Sequence, residues 1–210
     1  MNYNMNNYNM NNYNMNNYNM NNYKCNNYKC NNYNLIVALC KNGGIGFNGK
    51  LPWSIKEDMQ YFTRETKGHG NNAVIMGKNT WKSLPNKYLP GRDNFIISSK
   101  MVIDEIMDDG HRLKTFKNLE QVNEFCTTVK YDIIWIIGGS SLYKECIAKK
   151  IVKKCFVTFI DNEYNCDTFF DDIDLNHWKL IDTKSIITSN ANGNGNANIN
   201  IDFMVFNYID

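Results

Sequence analysis

The sequence predicts a single α/β domain: a largely parallel central sheet, helices on both faces, and an antiparallel strand at its C-terminal edge. Three observations carry this reading. Short runs rich in Ile, Val and Phe recur along the chain, segments with helical spacing separate them, and the last portion holds two strand-like runs joined by an Asn/Gly-rich stretch. Strands covered on both faces read as near-continuous apolar runs, and parallel neighbours need crossover helices between them.

The elements follow in order. LIVAL (35–39) is the first strand, and SIKEDMQYFTRET (54–66) is the first long helix. Within it Ile55, Met59, Phe62 and Thr66 fall at i, i+4, i+7 and i+11, which predicts the buried stripe. Asp58 then lies on the border of that stripe, and Glu57 and Glu65 face water. NAVIM (72–76) and NFIIS (94–98) are strands that flank a short helix, NTWKSL (79–84). NLEQVNEFCTTV (118–129), YDIIWII (131–137), SSLYKECIA (140–148) and KCFVTFI (154–160) continue the helix–strand alternation. HWKLIDTKS (177–185) and IDFMVFNYI (201–209) read as a hairpin. SNANGNGNANIN (189–200) between them reads as an expanded loop.

Residues 1–34 are a different material. NMNNY recurs with a period of five, placing Tyr at 8, 13, 18, 23, 28 and 33, and the segment lacks Leu, Ile and Val. A five-residue period matches neither helix nor strand, and without aliphatic residues little offsets the entropy of ordering, so a disordered tail is expected ahead of a domain over 35–210. It lacks the basic start and apolar core of a secretory leader. Two of the 23 basic residues and none of the 21 acids lie in this tail, which leaves 21 of each sign in the rest. A neutral domain argues against a broad nucleic-acid footprint, although a local basic pocket for one phosphorylated ligand remains open. Seven cysteines without a C-x-x-C pair, and His69, His111 and His177 without ligand spacing, suggest neither a disulfide framework nor a metal site. No apolar run approaches membrane-spanning length, and a reducing, cytoplasmic setting is expected.

Gly44, Gly46 and Gly49 make a formal G-x-G-x-x-G just after the first strand. A Rossmann fingerprint needs a helix to begin within the motif, because the helix amides hold the pyrophosphate. Pro52 removes a donor and biases Leu51 toward extended geometry. No acid stands where the ribose contact would fall. The stretch is therefore a strand followed by a glycine-rich loop.

LPW (51–53), VIMGKNTWKSLP (74–85), LPGRDNFIISS (89–99), IIGGSSLYKE (136–145) and CDTFF (166–170) occur in one order with one spacing. Together they resemble the dihydrofolate reductase family, from about Leu35 to Asp182 and again in the final strand. The resemblance implies an eight-stranded sheet and NADPH-dependent reduction of 7,8-dihydrofolate to tetrahydrofolate, by hydride transfer to pterin carbon 6, in support of one-carbon metabolism and thymidylate synthesis. It implies a monomer that needs no nucleic acid or membrane. The glycine loop becomes a mobile lid, with Leu51 near the nicotinamide and Trp53 holding a water near the pterin. Asp58 becomes the ionisable group of the pterin pocket, bonded by Thr158, and Arg92 the partner of the substrate's glutamate carboxylate. Ile36, Val37, Ala38, Phe62, Ser83, Leu84, Leu89 and Ile137 form the rest of the substrate wall.

The same resemblance assigns the cofactor to Ala38, Ile45, Gly46 and Gly49, to the turn Gly77, Lys78, Asn79 and Thr80, and to Ile137 with the turn Gly138, Gly139, Ser140, Ser141, Leu142 and Tyr143. It carries a cis bond between Gly138 and Gly139. Ser98, Ser99 and Lys100 would meet the 2′-phosphate, where many family members place an Arg. Asp167 and Thr168 brace the lid. Two other readings are a related reductase acting on a pyrimidine of riboflavin synthesis, which usually lacks the Leu51-to-Asp58 arrangement, and an inactive reductase-fold scaffold or RNA-associating protein driven by the tail.

Overall fold

The computed structural model describes residues 32–170, 177–189 and 198–209. Among them, nine strands form one sheet in the order β10-β11-β8-β1-β7-β3-β4-β6-β5. The strands are β1 (Tyr33–Cys40), β3 (Ala73–Gly77), β4 (Asp93–Ile97), β5 (Asp104–Ile106), β6 (Arg112–Phe116), β7 (Ile134–Ile136), β8 (Val152–Ile160), β10 (Trp178–Ser189) and β11 (Asn198–Tyr208). Strands β8, β1, β7, β3, β4 and β6 are parallel neighbours. Antiparallel pairs close both ends, β11 and β10 beyond β8 and β5 beyond β6. The ninth strand beyond the expected eight reflects this closure: β5 is three exposed residues, Asp-Glu-Ile, too short and polar to give an apolar signal. Two further short strands, β2 (Gly44–Gly46) and β9 (Thr168–Phe169), pair with each other outside the main sheet.

Strand alternation splits the core into two faces. Leu35, Val37 and Leu39 of β1 pack in a cluster with Leu119, Val122 and Cys126 of α3 (Leu119–Thr128) and Leu142, Tyr143 and Cys146 of α4 (Ser140–Ala148). Ile36 and Cys40 point the other way, into a cluster with Trp53, Ile55, Val74, Met76 and Trp135. That second face is covered by α1 (Lys56–Lys67), through Tyr61 and Phe62, and by α2 (Lys78–Ser83), through Trp81. Asn118 caps α3 by accepting from Gln121 N at 3.0 Å.

Three boundaries differ from the sequence reading. Strand β1 begins at Tyr33, two residues inside the expected tail, and Tyr33 is 1% exposed with its hydroxyl donating to Asn123 at 3.1 Å. A tyrosine carries enough apolar area to join a core without aliphatic neighbours. Residues 1–31 lie outside the described residues. The hairpin strands also run further than expected, through Ser189 on one side and from Asn198 on the other, because Ile199 continues the buried alternation of Ile201 and Phe203. Residues 190–197 of the expected loop lie outside the described residues.

Phe95 of β4 is fully buried and meets Phe116, Phe125 and Tyr131 edge-on at 5.3, 5.6 and 5.8 Å. Truncation here leaves a cavity that the three remaining rings cannot readily fill. Phe95→Ala is expected to cost about 3–5 kcal/mol of stability, read as a lower urea midpoint at unchanged slope.

Candidate active site

Helix α1 places the acid. Ile55, at its N-cap, offers no side-chain acceptor, and Glu57 and Asp58 occupy the first turn, where the helix dipole favours negative charge. The observed buried face holds Ile55, Asp58, Tyr61 and Thr66, whereas Met59 is 49% exposed. At about 100° per residue, this arc centres near Asp58. The predicted stripe through Met59 is therefore rotated, and Asp58 lies within the face instead of on its border. The cause is Tyr61, whose ring packs on Phe203 of β11 at 4.3 Å and draws the helix round. Glu57 and Glu65 end half-buried, and Glu57 accepts from Thr188 at 2.9 Å.

Asp58 is 5% exposed. Burial pushes its carboxyl above the ordinary Asp value, while Thr158 and, more weakly, Trp53 favour the charged form. Thr158 is 1% exposed and sits on β8 opposite Ala38 of β1. Trp53 is 4% exposed and packs its ring 5.4 Å from Tyr164. Its indole N–H influences Asp58 without reaching hydrogen-bond geometry, and that buried nitrogen has no partner among the described residues.

The glycine-rich segment is a loop without a helix, as Pro52 requires. Phe47 and Lys50 exchange backbone bonds, Gly49 takes φ +70°, and Leu51 is exposed. The base of the loop is tied to β9: Asp167 N donates to Gly46 O at 3.0 Å, Phe170 N donates to Gly43 O at 3.0 Å, and Asn48 N donates to the Asp167 carboxylate at 2.7 Å. Asn48 N, together with the Thr168 hydroxyl, which donates to the same carboxylate at 2.9 Å, holds Asp167 below the usual carboxylate range. Ile45 packs against the α3/α4 side of the core.

Two strand-to-helix turns meet at the carboxyl ends of β3 and β7. Gly77 N donates to Gly138 O at 2.7 Å, and the Gly138–Gly139 bond is cis. A Cβ on Gly77 would stand 3.7 Å from Gly139 N, and one on Gly139 would stand 3.4 Å from Thr80 Oγ1, so side chains would fill the space between the turns. Gly77 and Gly139 are the N-caps of α2 and α4, and neither helix start is capped by a side chain. Their first amides are open to an anion. Lys78 and Thr80 are half-buried and Asn79 is exposed. Ser140 is half-buried and Ser141 exposed, whereas Leu142 and Tyr143 are core residues. The Tyr143 hydroxyl donates to Ile36 O at 2.8 Å directly beside Gly138. Ser98 is buried after β4 and accepts from Lys100 N at 3.3 Å, with Ser99 and Lys100 exposed.

On the remaining wall, Ile36 and Ile137 share the α1-facing cluster, with Ala38, Phe62, Leu84 and Leu89 partly buried against it. Val37 does not, because strand alternation sends its side chain to the opposite face. Ser83 is exposed and donates to Thr80 O at 2.6 Å.

Arg92 is the second buried charge, 2% exposed just before β4. Its guanidinium donates to Thr66 Oγ1 and to Pro90 O at 3.3 Å, and no carboxylate pairs with it among the described residues. Burial lowers its pKa to about 10. Sequence reasoning missed its supports. Asn94 bonds Leu89 O, Arg92 O and Leu89 N at 2.8–2.9 Å, and Asp109 accepts from Gly91 N at 2.8 Å and from the Tyr88 hydroxyl. The polar turn around Gly110 was their one sequence signal. No group of three or more His, Cys, Asp or Glu among the described residues could hold a metal.

This layout, with a buried acid, a buried cation and two anion-receptive turns around the carboxyl ends of a parallel sheet, is that of an α/β enzyme. The family model for dihydrofolate reductase matches residues 32–207. The chain is 37% identical over 160 residues to a dihydrofolate reductase of Heliothis virescens, covering 73% of this chain and 86% of that one. It is 41% identical over 166 residues to a viral dihydrofolate reductase of Saimiriine herpesvirus 2, covering 75% and 77%, and 40% identical over 155 residues to that of Bos taurus, covering 70% and 83%. A solved dihydrofolate reductase from Enterococcus faecalis, complexed with NADP(H) and RAB-propyl, has the same fold. Its TM-score is 0.68 at 24% identity, covering 85% of this chain and 97% of that one. The chain belongs to the dihydrofolate reductase family.

Asp58 sets a stability prediction. Its folded pKa is raised, so the stability tied to its protonated form is complete below the ordinary Asp value of 3.8 and is lost as pH rises through the higher folded value. Asp58→Asn carries no charge and is expected to melt above the parent at neutral pH. The difference should close in acid, as followed by calorimetry across pH.

Proposed function

We propose that the chain reduces 7,8-dihydrofolate to tetrahydrofolate with NADPH. The observation that carries this reading is the combination of a buried carboxyl with a buried guanidinium that has no acid of its own among the described residues. Dihydrofolate has complementary groups: a pterin edge of N–H donors and a glutamate tail of carboxylates. Asp58 accepts from the pterin amino group and ring N–H, fixing the ring edge-on. Arg92 grips the tail carboxylate with two parallel bonds.

The protein binds, orients and excludes water. Ile36, Ala38, Phe62, Leu84, Leu89 and Ile137 line the pterin and its linker, with Ser83 at the rim and Val37 contributing backbone. Bound NADPH supplies the hydride, and the fit of these residues to it rests on the joined glycine turns with uncapped helix starts. Gly138, Gly139, Ser140 and Ser141 on one turn and Gly77, Lys78, Asn79 and Thr80 on the other meet its phosphates. Ser98, Ser99 and Lys100 favour the 2′-phosphate. Ile45, Gly46, Gly49 and Leu51 on the loop close over the nicotinamide and keep bulk water out. Leu142 and Tyr143 support the Gly-Gly turn from below. The unpartnered Trp53 N–H is a donor for a water or substrate oxygen beside Asp58. That water is the proton source for pterin nitrogen 5, with the Asp58 field raising the nitrogen's basicity. Thr158 holds the Asp58 carboxylate in place.

We place this activity in the cytoplasm and in the monomer, with no nucleic acid required. No helix among the described residues is long and apolar enough to cross a membrane.

The direct test follows NADPH absorbance with dihydrofolate present, with and without methotrexate. Methotrexate-sensitive oxidation is expected, and Asp58→Asn should lower kcat by about 10²-fold or more at neutral pH. An Asp58→Asn protein with near-parental kcat would show that this acid is not the pterin anchor. Arg92→Leu is expected to raise KM for dihydrofolate by about 10²-fold while leaving kcat within a few-fold. A dihydropterin without the glutamate tail should show no such loss, which separates a tail contact from general damage.

A further inference from the structure

The base of the glycine-rich loop holds a feature that the reductase reading does not use. Cys40, the last residue of β1, places its Sγ 3.8 Å from Cys166 Sγ, the one sulfur–sulfur contact among the described cysteines. Cys126, Cys146 and Cys155 are buried singly in the sheet–helix core. Cys40 and Cys166 sit where the loop is fastened. Cys40 Sγ donates to Asn42 Oδ1 at 3.0 Å, and the same oxygen accepts from Gly44 N at 3.1 Å. Asn42 in turn donates to Tyr164 O at 3.1 Å. Cys166 precedes the Asp167–Phe170 segment that bonds Gly43, Gly46 and Asn48. A Cβ on Gly44 would fall 2.3 Å from Cys166 Sγ, so the loop backbone lies directly on that sulfur.

We infer that Cys40 and Cys166 are a site of reversible disulfide formation that joins the end of β1 to the segment before β9 and so fastens the base of the loop. Closing the bond brings the sulfurs from 3.8 Å to about 2.05 Å, a shift within reach of side-chain rotation and small loop movement. Cys166 is half-buried and Cys40 fully buried, so Cys166 reacts first. With oxidised glutathione as oxidant, the Cys166 thiolate attacks one glutathione sulfur, breaks the glutathione S–S bond and releases one glutathione thiolate. Cys40, deprotonated, then attacks Cys166 Sγ, forms the protein S–S bond and releases the second. The two protein thiols are oxidised, the disulfide reagent is reduced, and two protons pass to the glutathione thiolates. Burial pushes the Cys166 thiol up to about 11, which keeps the pair quiet toward brief exposure.

The test incubates the full chain with oxidised glutathione, blocks free thiols and maps peptides without reduction. A linked peptide joining Cys40 and Cys166, lost on dithiothreitol, is expected, together with amide hydrogen exchange over 41–50 slowed about threefold or more. NADPH-dependent turnover should fall by a similar factor and recover on reduction. Cys40→Ser and Cys166→Ser should each hold parental exchange and turnover under the oxidant. Cysteines that stay free, links to Cys25 or Cys30 instead, or a linked peptide with unchanged exchange over 41–50 would overturn the inference. The peptide map and the exchange need no catalysis, so they stand whether or not the chain proves to reduce dihydrofolate.

Discussion

The burial of one carboxyl organises this molecule. An ionisable group removed from water costs several kcal/mol unless something compensates it, and Asp58 is compensated only in part, by Thr158, by Trp53 and by its place in the first turn of α1. The remainder is a standing demand for a ligand with donors. The elements that enforce the burial lie far apart in sequence: Trp53 at the end of the glycine loop, Thr158 in β8, and Phe203 in β11, which turns α1 through Tyr61.

Sheet topology gathers the rest. Parallel strands deliver their following turns to one edge, so β3 and β7, which are neighbours only after a crossover, place Gly77 and Gly138 within one hydrogen bond. Two helix starts thus open side by side, and charge on the chain as a whole plays little part. Arg92 differs because it precedes β4 instead of following it. It reaches the α1 face through Thr66, at the far end of the same helix that carries Asp58. One helix therefore sets the distance between the acid and the cation.

Much of this was legible in the sequence, and what was not has physical reasons. The Ile/Val runs located β1, β3, β4, β7 and β8, and SSLYKECIA delimited α4 at both ends, because a Gly-Gly turn bounds its start and its spacing is regular. Of YDIIWII only Ile134–Ile136 is regular strand, although Ile133 O accepts from Ala73 N and Ile137 N donates to Ile75 O beyond its two ends. The phase of α1 was misjudged because periodicity weighs Met59 as core and cannot see that a tyrosine on the other flank has an aromatic partner in the last strand. LPGR has no apolar periodicity from which burial could be read. Its buried arginine bonds Thr66 and Pro90, and Asn94, Asp109 and Tyr88 bond the surrounding backbone and one another, contacts that only the tertiary structure assembles. The five-residue repeat concealed the start of β1, because composition is an average and Tyr33 is a single residue.

That start has a consequence for how the chain is made. Strand β1 lies in the middle of the sheet, yet its only neighbours are β7 and β8, and Tyr33 pairs with Ile134 and Val152. Strand β1, the first of this sheet in chain order, must therefore wait for most of the domain to be synthesised before its backbone groups are paired. Non-local closure of this kind slows folding and leaves an apolar segment open meanwhile. During that wait LIVAL is an apolar segment whose backbone groups have nothing yet to bind.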